Sequence, residues 1–88
     1  MNLEKVKIAV IGQGYVGLPL AIEFGKKYPT LGFDISTGRI DELKKGFDHT
    51  NEATTKQLRS AKQLTFSENI NDIRECNIFI VTVPTPIE

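Results

Sequence analysis

Two short and almost entirely apolar segments stand near the two ends of the chain. Residues 6–11 form the first, and residues 77–83, the most hydrophobic part of the sequence, form the second. Both have the β-branched, continuous character of buried parallel strands, and in the second both faces are expected to be buried. Two weaker strand candidates, Thr30–Phe33 and Leu64–Ser67, lie between them.

Residues 15–28 show helical periodicity. Apolar side chains recur there at helical spacing on a stripe formed by Val16, Leu20 and Phe24, widened by Leu18, Ala21 and Ile22. Pro19 lies close to the predicted first turn, where a missing N–H costs little. The segment therefore predicts a helix that begins just after the first strand.

Two further helices are indicated by their end signals. Ser36 is a suitable N-cap for a helix that runs to about Lys45, and Gly46 suits a left-handed stop. Thr54 and Gln57 have the spacing of a capping box, which predicts a short third helix.

The order of these elements defines the fold class. Strands alternate with helices, and right-handed crossovers between parallel strands then give an α/β, Rossmann-like, doubly wound parallel sheet. We expect a partial version with about four strands in the order 3-2-1-4. Residues 1–88 are expected to form one domain, since no repeat or linker interrupts them.

Composition narrows the range of partners. Eleven basic residues balance eleven acidic ones, which argues against a strongly basic nucleic-acid surface, and no apolar run reaches the roughly 20 residues of a membrane span. The single cysteine excludes an internal disulfide framework and a cysteine-based zinc site. We therefore expect no nucleic acid, membrane or metal partner, and a reducing, cytoplasmic location.

The turn after the first strand carries the chemistry. It matches the pattern G-x-G-x-x-G in the string Gly12-Gln13-Gly14-Tyr15-Val16-Gly17. Gly12 permits a tight turn, Gly14 lets a pyrophosphate approach the backbone, and Gly17 lets the helix pack closely on the sheet. The helix N-terminus then faces the phosphates with free N–H groups and a positive dipole end. The alternative is that the glycines merely make a sharp turn.

Asp34 follows the second strand, 22 positions after Gly12, where a dinucleotide site needs an acidic residue for the ribose hydroxyl groups. A carboxylate there would repel the 2′-phosphate of NADP, so NAD is the predicted cofactor. Asp34 could instead simply cap a turn. Arg39 is interpreted either as a contact to adenine or ribose or as a plain surface arginine.

The chain from Lys7 to Glu88 resembles the amino-terminal part of the UDP-glucose/GDP-mannose dehydrogenase family, and most closely the branch that oxidises UDP-N-acetylhexosamines at C6. The resemblance is carried by three stretches, which are Ile11-Gly12-Gln13-Gly14-Tyr15-Val16-Gly17-Leu18-Pro19-Leu20-Ala21, Gly32-Phe33-Asp34-Ile35 with Arg39-Ile40-Asp41-Glu42-Leu43, and Val81-Thr82-Val83-Pro84-Thr85-Pro86-Ile87.

The resemblance implies a role for each matching residue. The pyrophosphate would be lined by Gly12, Gly14, Tyr15, Val16 and Gly17. Asp34 and Arg39 would take the adenosine end, and Thr85 would touch the cofactor near the switch point between the first and fourth strands. Gln13 stands where many relatives carry leucine, and its side chain is expected to point to solvent.

The resemblance also implies what residues 1–88 leave out. The family oxidises the C6 alcohol of a nucleotide sugar to a carboxylate with two NAD⁺, for surface polysaccharides, and its catalytic cysteine lies beyond residue 88. We therefore expect no catalytic residue here; Cys76 is interpreted as a small buried hydrophobe and His49 as a solvated loop residue. The chain would be a truncated NAD-binding domain without substrate and catalytic regions.

Truncation leads to two expectations about the isolated chain. It should lack dehydrogenase activity, and it should associate through the strand edge between Ile78 and Val83, which the missing part of the fold would otherwise cover, either as a homodimer or by aggregation. Two alternative functions remain open: a non-catalytic module that senses NAD or nucleotides, and another NAD-dependent dehydrogenase such as a hydroxyacid dehydrogenase.

Overall fold

Four strands and their connecting helices alternate along the chain. The computed structural model describes residues 6–49 and 53–82. The elements are β1 (Ile8–Ile11), α1 (Gly17–Gly25), β2 (Thr30–Phe33), α2 (Thr37–Lys44), α3 (Thr55–Ser60), β3 (Leu64–Ser67), a 3₁₀-helix (Ile70–Glu75) and β4 (Ile78–Val81). The strands form one parallel sheet in the order β3-β2-β1-β4, which confirms the predicted class and winding.

The register of the sheet aligns the carboxyl ends of three strands. Ile11, the last residue of β1, pairs with Phe33 of β2 on one side and with Val81 of β4 on the other. The next residues along each strand are Gly12, Asp34 and Thr82, and they therefore meet at the same edge of the sheet. In open parallel sheets of this kind, ligands bind at this edge.

Helix α1 packs on the sheet through part of the predicted stripe. Its buried residues are Gly17, Leu18, Ala21, Ile22 and Gly25, so the residues that widen the predicted stripe are buried as expected. Phe24 packs partly buried against the core, whereas Val16 and Leu20 are exposed, and for these two the prediction is wrong. The close packing is visible at Gly25, where an added Cβ would lie 2.6 Å from the Cβ of Leu64.

The core has one cluster on each face of the sheet near β1 and β4. Under α1, Ile8 and Val10 pack with Ala21, and the half-buried Ile78 and Ile80 of β4 join them. The opposite face is covered near the 3₁₀-helix by a smaller cluster that contains Ala9, Leu31, Cys76 and Ile73. Cys76 is thus the buried hydrophobe that the sequence predicted.

Strand β4 differs from its prediction. The expectation that both of its faces are buried is wrong, because only the face of Ile78 and Ile80 lies under α1, while Phe79 and Val81 are 50% and 66% exposed. Within residues 6–49 and 53–82, the structure shows no helix with the length and apolarity needed to cross a bilayer.

The ends of α2 and α3 follow their predicted signals. The Ser36 side chain accepts a hydrogen bond from the N–H of Arg39, and Gly46 ends α2 with a φ of +82°. Thr54 and Gln57 form the complete capping box at the start of α3. These ends position the loop after α2, which contributes to the site described next.

Candidate functional site

The turn between β1 and α1 depends on two glycines for its shape. Gly12 adopts a φ of +98°, and a Cβ there would lie 2.5 Å from the carbonyl oxygen of Thr82. A Cβ on Gly17 would lie 1.7 Å from the carbonyl oxygen of Gly12. Both positions therefore require glycine for the protein's own packing.

Gly14 lies in the same turn and has no such requirement. A Cβ added there would meet no atom within 4 Å, and its φ is not positive. The space in front of this residue is open to a ligand. This is the arrangement that the pyrophosphate interpretation needs, because the second glycine of the motif is there to let phosphate approach the backbone.

Two backbone N–H groups beside this open space have no acceptor within residues 6–49 and 53–82. Among the described residues, no acceptor is found for the N–H of Gly14 or of Val16, and no side chain caps α1. A helix start carries a partial positive charge as well as free donors. The turn can therefore bind an anion through its backbone.

These groups line an open cleft of about 310 Å³ at the carboxyl edge of the sheet. The cleft is lined by Gly12, Gly14, Tyr15, Val16, Gly17, Asp34 and Thr82. The structure thus brings six of the eight sequence-predicted site residues to one place. Thr85 lies outside the described residues, and Arg39 is not part of the lining.

Asp34 joins the glycine turn to the start of α2. Its Oδ2 accepts a hydrogen bond of 2.9 Å from the N–H of Gln13, and its Oδ1 accepts one of 3.0 Å from the N–H of Ser36. The second bond is the turn-capping role considered from the sequence. Each carboxylate oxygen has a further lone pair, so the capping role leaves the ribose contact available, and that contact stays a prediction.

Thr82 is a cleft residue that the sequence interpretation missed. Its hydroxyl group is the donor to two carbonyl oxygens, that of Ile11 at 2.9 Å and that of Gly12 at 3.0 Å. It therefore joins β4 to the beginning of the glycine turn. The sequence did contain a signal for Thr82. It directly follows the fourth strand, which lies beside β1 in the predicted strand order, so it could have been expected near the glycine turn.

Gln13 was expected at the surface, and this expectation is wrong. The residue is fully buried, and its Nε2 donates to the carbonyl oxygens of Val10 at 2.8 Å and Gly12 at 3.1 Å. Its Oε1 lies near Gly32 of β2 and has no hydrogen-bond partner in the described part of the chain. The hydropathy of a glutamine gave no signal of this burial, because its amide group is satisfied by backbone carbonyl groups that only the folded turn brings near.

Arg39 is not a surface arginine. Its side chain is only 9% exposed, its Nε donates to the carbonyl oxygen of Gln13 at 2.8 Å, and its Nη1 lies 2.6 Å from Oδ1 of the buried Asp48. Its Nη2 is buried and has no hydrogen-bond partner among the residues that the structure describes. The guanidinium thus contacts the backbone of the glycine turn directly, and a contact to adenosine stays a prediction.

Glu42 borders this arginine on its other side. Its Oε1 lies 3.4 Å from Nη1 of Arg39, and both its carboxylate oxygens lie within 2.8 Å of Nδ1 of His49. Desolvation by itself raises the pKa of Glu42, but hydrogen bonds from His49 and Arg39 outweigh it and hold the pKa below its ordinary value. His49 is exposed as expected, but it is an ion-pair candidate rather than a free loop side chain.

Cys76 has no connection to the cleft. It lies between the 3₁₀-helix and β4 in the core cluster with Ala9 and Leu31, and burial raises the pKa of its thiol above the ordinary value. A buried cysteine whose thiolate is disfavoured is a poor nucleophile. Within the described residues, no group of histidine, cysteine and carboxylate side chains could hold a metal ion.

The parallel sheet, the glycine turn and the acidic residue after β2 together define a dinucleotide-binding domain of the Rossmann type. The sequence pattern of one family, described as the UDP-glucose/GDP-mannose dehydrogenase family, NAD binding domain, matches residues 6–88. The chain belongs to this family, and its cofactor is NAD.

Individual relatives agree with this assignment. UDP-N-acetyl-D-glucosamine 6-dehydrogenases from Pseudomonas aeruginosa and Salmonella typhi are each 55% identical over 86 residues, which are 98% of this chain and 20% of the relative. The solved structure of UDP-D-ManNAc dehydrogenase from Pyrococcus horikoshii superposes with a TM-score of 0.78 at 33% identity, over 94% of this chain and 21% of that one. The chain thus spans about a fifth of the length of the relatives it matches.

Proposed function

We propose that the chain is the NAD-binding part of a nucleotide-sugar 6-dehydrogenase. The substrate would be a UDP-N-acetylhexosamine, UDP-N-acetyl-glucosamine or -galactosamine, oxidised at C6 to its uronic acid with two NAD⁺ for polysaccharide biosynthesis. The names of the two relatives that are 55% identical support the UDP-N-acetyl-glucosamine form. The observation that carries the proposal is the cleft in which Gly14 leaves open space beside the Asp34 carboxylate.

Each of the eight predicted site residues has a role in this proposal. The turn formed by Gly12, Gly14, Tyr15, Val16 and Gly17 holds the pyrophosphate through backbone N–H groups. Asp34 accepts hydrogen bonds from the ribose hydroxyl groups, Arg39 serves the adenosine end, and Thr85 contacts the cofactor beyond β4. NAD, when bound, supplies the acceptor for the hydride that leaves C6 of the sugar.

The proposal assigns only cofactor binding to residues 1–88. The groups that bind the UDP-sugar and carry out the oxidation would lie elsewhere in a longer protein, so the chain by itself is proposed to be inactive. It would form a truncated amino-terminal domain. Cys76 is the one cysteine of the sequence and is buried and unpaired, which fits a reducing, cytoplasmic compartment.

The discrimination between NAD and NADP tests the proposed role of Asp34. At an effective dielectric near 20, two unit charges about 4 Å apart repel by roughly 4 kcal/mol, which is more than a hundredfold in affinity. Isothermal titration of both cofactors should therefore show NAD binding at least about a hundredfold more tightly than NADP.

The matched variant is Asp34→Asn, which keeps the size of the side chain and one acceptor oxygen but removes the charge. It should reduce the preference for NAD by about tenfold or more. Asp41→Asn, an exposed change of the same kind in α2, should leave the preference unchanged. A wild-type preference for NADP, or an Asp34→Asn variant with the full NAD preference, would contradict the assignment.

We also propose that the isolated chain forms a homodimer through β4. Phe79 and Val81 expose their side chains on one face of this strand, and in the described part of the chain no strand pairs with its outer edge. Unpaired hydrophobic edges favour pairing with a second copy. Sedimentation equilibrium should show a dimer that Phe79→Lys weakens, whereas a monomer at high concentration would contradict this.

A further inference from the structure

Asp48 is a buried carboxylate that the cofactor interpretation leaves without a role. Its side chain is fully buried, its Oδ1 lies 2.6 Å from Nη1 of Arg39, and its Oδ2 accepts a hydrogen bond of 2.9 Å from the N–H of Ala53. Burying a carboxylate is unfavourable unless it is paired and hydrogen-bonded. Asp48 meets this condition by holding the guanidinium in one orientation.

The orientation of Arg39 fixes a second contact. The guanidinium is a rigid plane, so the direction of Nη1 towards Asp48 also determines the direction of Nε. Nε donates to the carbonyl oxygen of Gln13 at 2.8 Å. A lysine ammonium group lacks this rigid planar fork, so it would not hold the two acceptors in the same fixed geometry.

The contact at Gln13 acts on the neighbouring glycine. The carbonyl group of Gln13 and the N–H of Gly14 belong to the same peptide unit, which is planar and trans, so the two groups point in opposite directions. When Arg39 holds the carbonyl oxygen on one side, the N–H of Gly14 must point to the other. Gly14 lines the cleft, and its N–H has no acceptor among the described residues.

A second charged group holds the other end of residue 13. The N–H of Gln13 donates to Oδ2 of Asp34 at 2.9 Å, so both backbone groups of this residue are bonded to ionised side chains. Charge-assisted hydrogen bonds are stronger and more directional than neutral ones. The glycine turn is thus held in its anion-binding shape before any ligand arrives, which reduces the ordering cost of binding.

We infer that Asp48 is a positioning residue for the diphosphate: through Arg39 it fixes the carbonyl group of Gln13 and so aims the N–H of Gly14 into the cleft. This inference rests on the proposed NAD-binding function and adds a residue that lies outside the cleft. According to this inference, Asp48 acts mainly on the binding of the diphosphate and less on the binding of the adenosine.

The test compares ADP with adenosine as ligands of the 88-residue chain. Asp48→Asn keeps the shape of the side chain and removes its charge, and it should weaken ADP binding roughly five- to tenfold. Adenosine, which has no phosphate, should lose at least about threefold less affinity than ADP, because only its proposed contact with Arg39 can change. The control is Asp41→Asn, an exposed change of the same kind in α2 that should alter neither affinity.

The ¹H–¹⁵N amide spectrum distinguishes a positioning role of Asp48 from a general contribution to stability. In folded Asp48→Asn, the ¹H–¹⁵N resonance of Gly14 should shift without ligand, and Arg39→Lys should produce a shift at the same residue together with the same loss of ADP affinity. Unchanged ADP affinity in folded Asp48→Asn, or an equal loss for adenosine, would overturn the inference while leaving the proposed function intact. Wild-type chain that binds neither NAD nor ADP would overturn both.

The wild-type protein decides the question even if both variants fail to fold. The Nε–H of Arg39 should exchange slowly with solvent and show a coupling across the hydrogen bond to the carbonyl carbon of Gln13. Fast exchange with no such coupling would show that Arg39 does not hold the turn, and the inference would be wrong.

Discussion

Helices α1 and α3 begin in opposite ways. At α3, the Thr54 hydroxyl group accepts from the N–H of Gln57 at 3.1 Å, and the Gln57 side chain accepts from the N–H of Thr54 at 2.8 Å. At α1, the N-cap is Val16, which has no side-chain acceptor. Side chains thus satisfy the first donors of α3. At α1, the N–H of Leu18 donates to the carbonyl oxygen of Gly14, and the N–H of Val16 has no acceptor among the described residues.

The difference shows how a helix start can be stabilising in one place and ligand-binding in another. Every α-helix begins with N–H groups that lack intrahelical partners. In α1, the third residue is Pro19, which has no N–H, and the three residues directly before it, Val16, Gly17 and Leu18, have no polar side-chain atom that could act as an acceptor. A cap on α1 would compete with the pyrophosphate, whereas a cap on α3 competes with nothing.

The largest effect is expected at Gly17, where the glycine turn meets α1. In Gly17→Ala, the new Cβ would lie 1.7 Å from the carbonyl oxygen of Gly12, so the turn must distort and the free energy of unfolding should fall by about 3 kcal/mol. Urea denaturation measures this loss. Gly38→Ala in α2, where no atom lies within 4 Å of the new Cβ, should change stability by less than about 1 kcal/mol. Equal stabilities for the two variants would contradict the packing described for Gly17.

The next largest effect is expected when α1 is given a charged cap. Val16→Asp places a carboxylate in the cleft at the helix start, where it should repel the cofactor diphosphate and weaken NAD binding by about a hundredfold or more. Val16→Asn, of the same shape and without charge, should bind NAD at least about tenfold more tightly than Val16→Asp. Titration calorimetry compares them, and similar affinities would show that no phosphate approaches Val16.

Gly14→Ala tests whether the space beside Gly14 serves the ligand rather than the packing of the protein. The open surroundings of Gly14 predict that the free energy of unfolding changes by less than about 0.5 kcal/mol. The added methyl group would nevertheless occupy the approach to the backbone, and NAD affinity should fall by about tenfold. A variant that loses stability as Gly17→Ala does, or keeps the wild-type affinity, would contradict the comparison drawn between these glycines.

The smallest effect is expected at the capped helix. Thr54→Ala removes the acceptor at the start of α3 and should lower the free energy of unfolding by about 1 kcal/mol. NAD affinity should remain that of the wild type, because α3 does not line the cleft. Thr37→Ala, an exposed threonine in the first turn of α2, should change stability by less than about 0.5 kcal/mol. A loss of NAD affinity in Thr54→Ala would remove the distinction between the two helix starts.

The strands and caps could be predicted because their signals are local. Thr30–Phe33 and Leu64–Ser67 have the bounds read from the sequence, and the capping box at Thr54 and the stop at Gly46 form as expected. The order of the strands followed from the handedness of parallel crossovers. The exposure of Val16 and Leu20 could not be predicted in this way, because apolar residues occupy more than one face of the segment and the true start at Gly17 removes Val16 from the helix.

The site could be predicted only as far as its residues lie close together in sequence. The glycine turn and the acidic residue after β2 follow a known spacing, and the structure places them in one cleft. The contacts of Arg39 with Gln13 and Asp48 join residues 26 and 9 positions apart, and they depend on how α2 lies against the turn. No local pattern specifies such a contact, so the burial of Gln13 and Arg39 emerged only from the fold.

The most direct test of the account follows the backbone amides of both helix starts during a titration with ADP. If the start of α1 holds the diphosphate, the largest ¹H–¹⁵N shifts should occur at Gly14, Val16 and Gly17, with those of Thr55 and Gln57 at the start of α3 unchanged. Shifts that are largest at α3, or an α1 start that does not respond at saturating ADP, would contradict it.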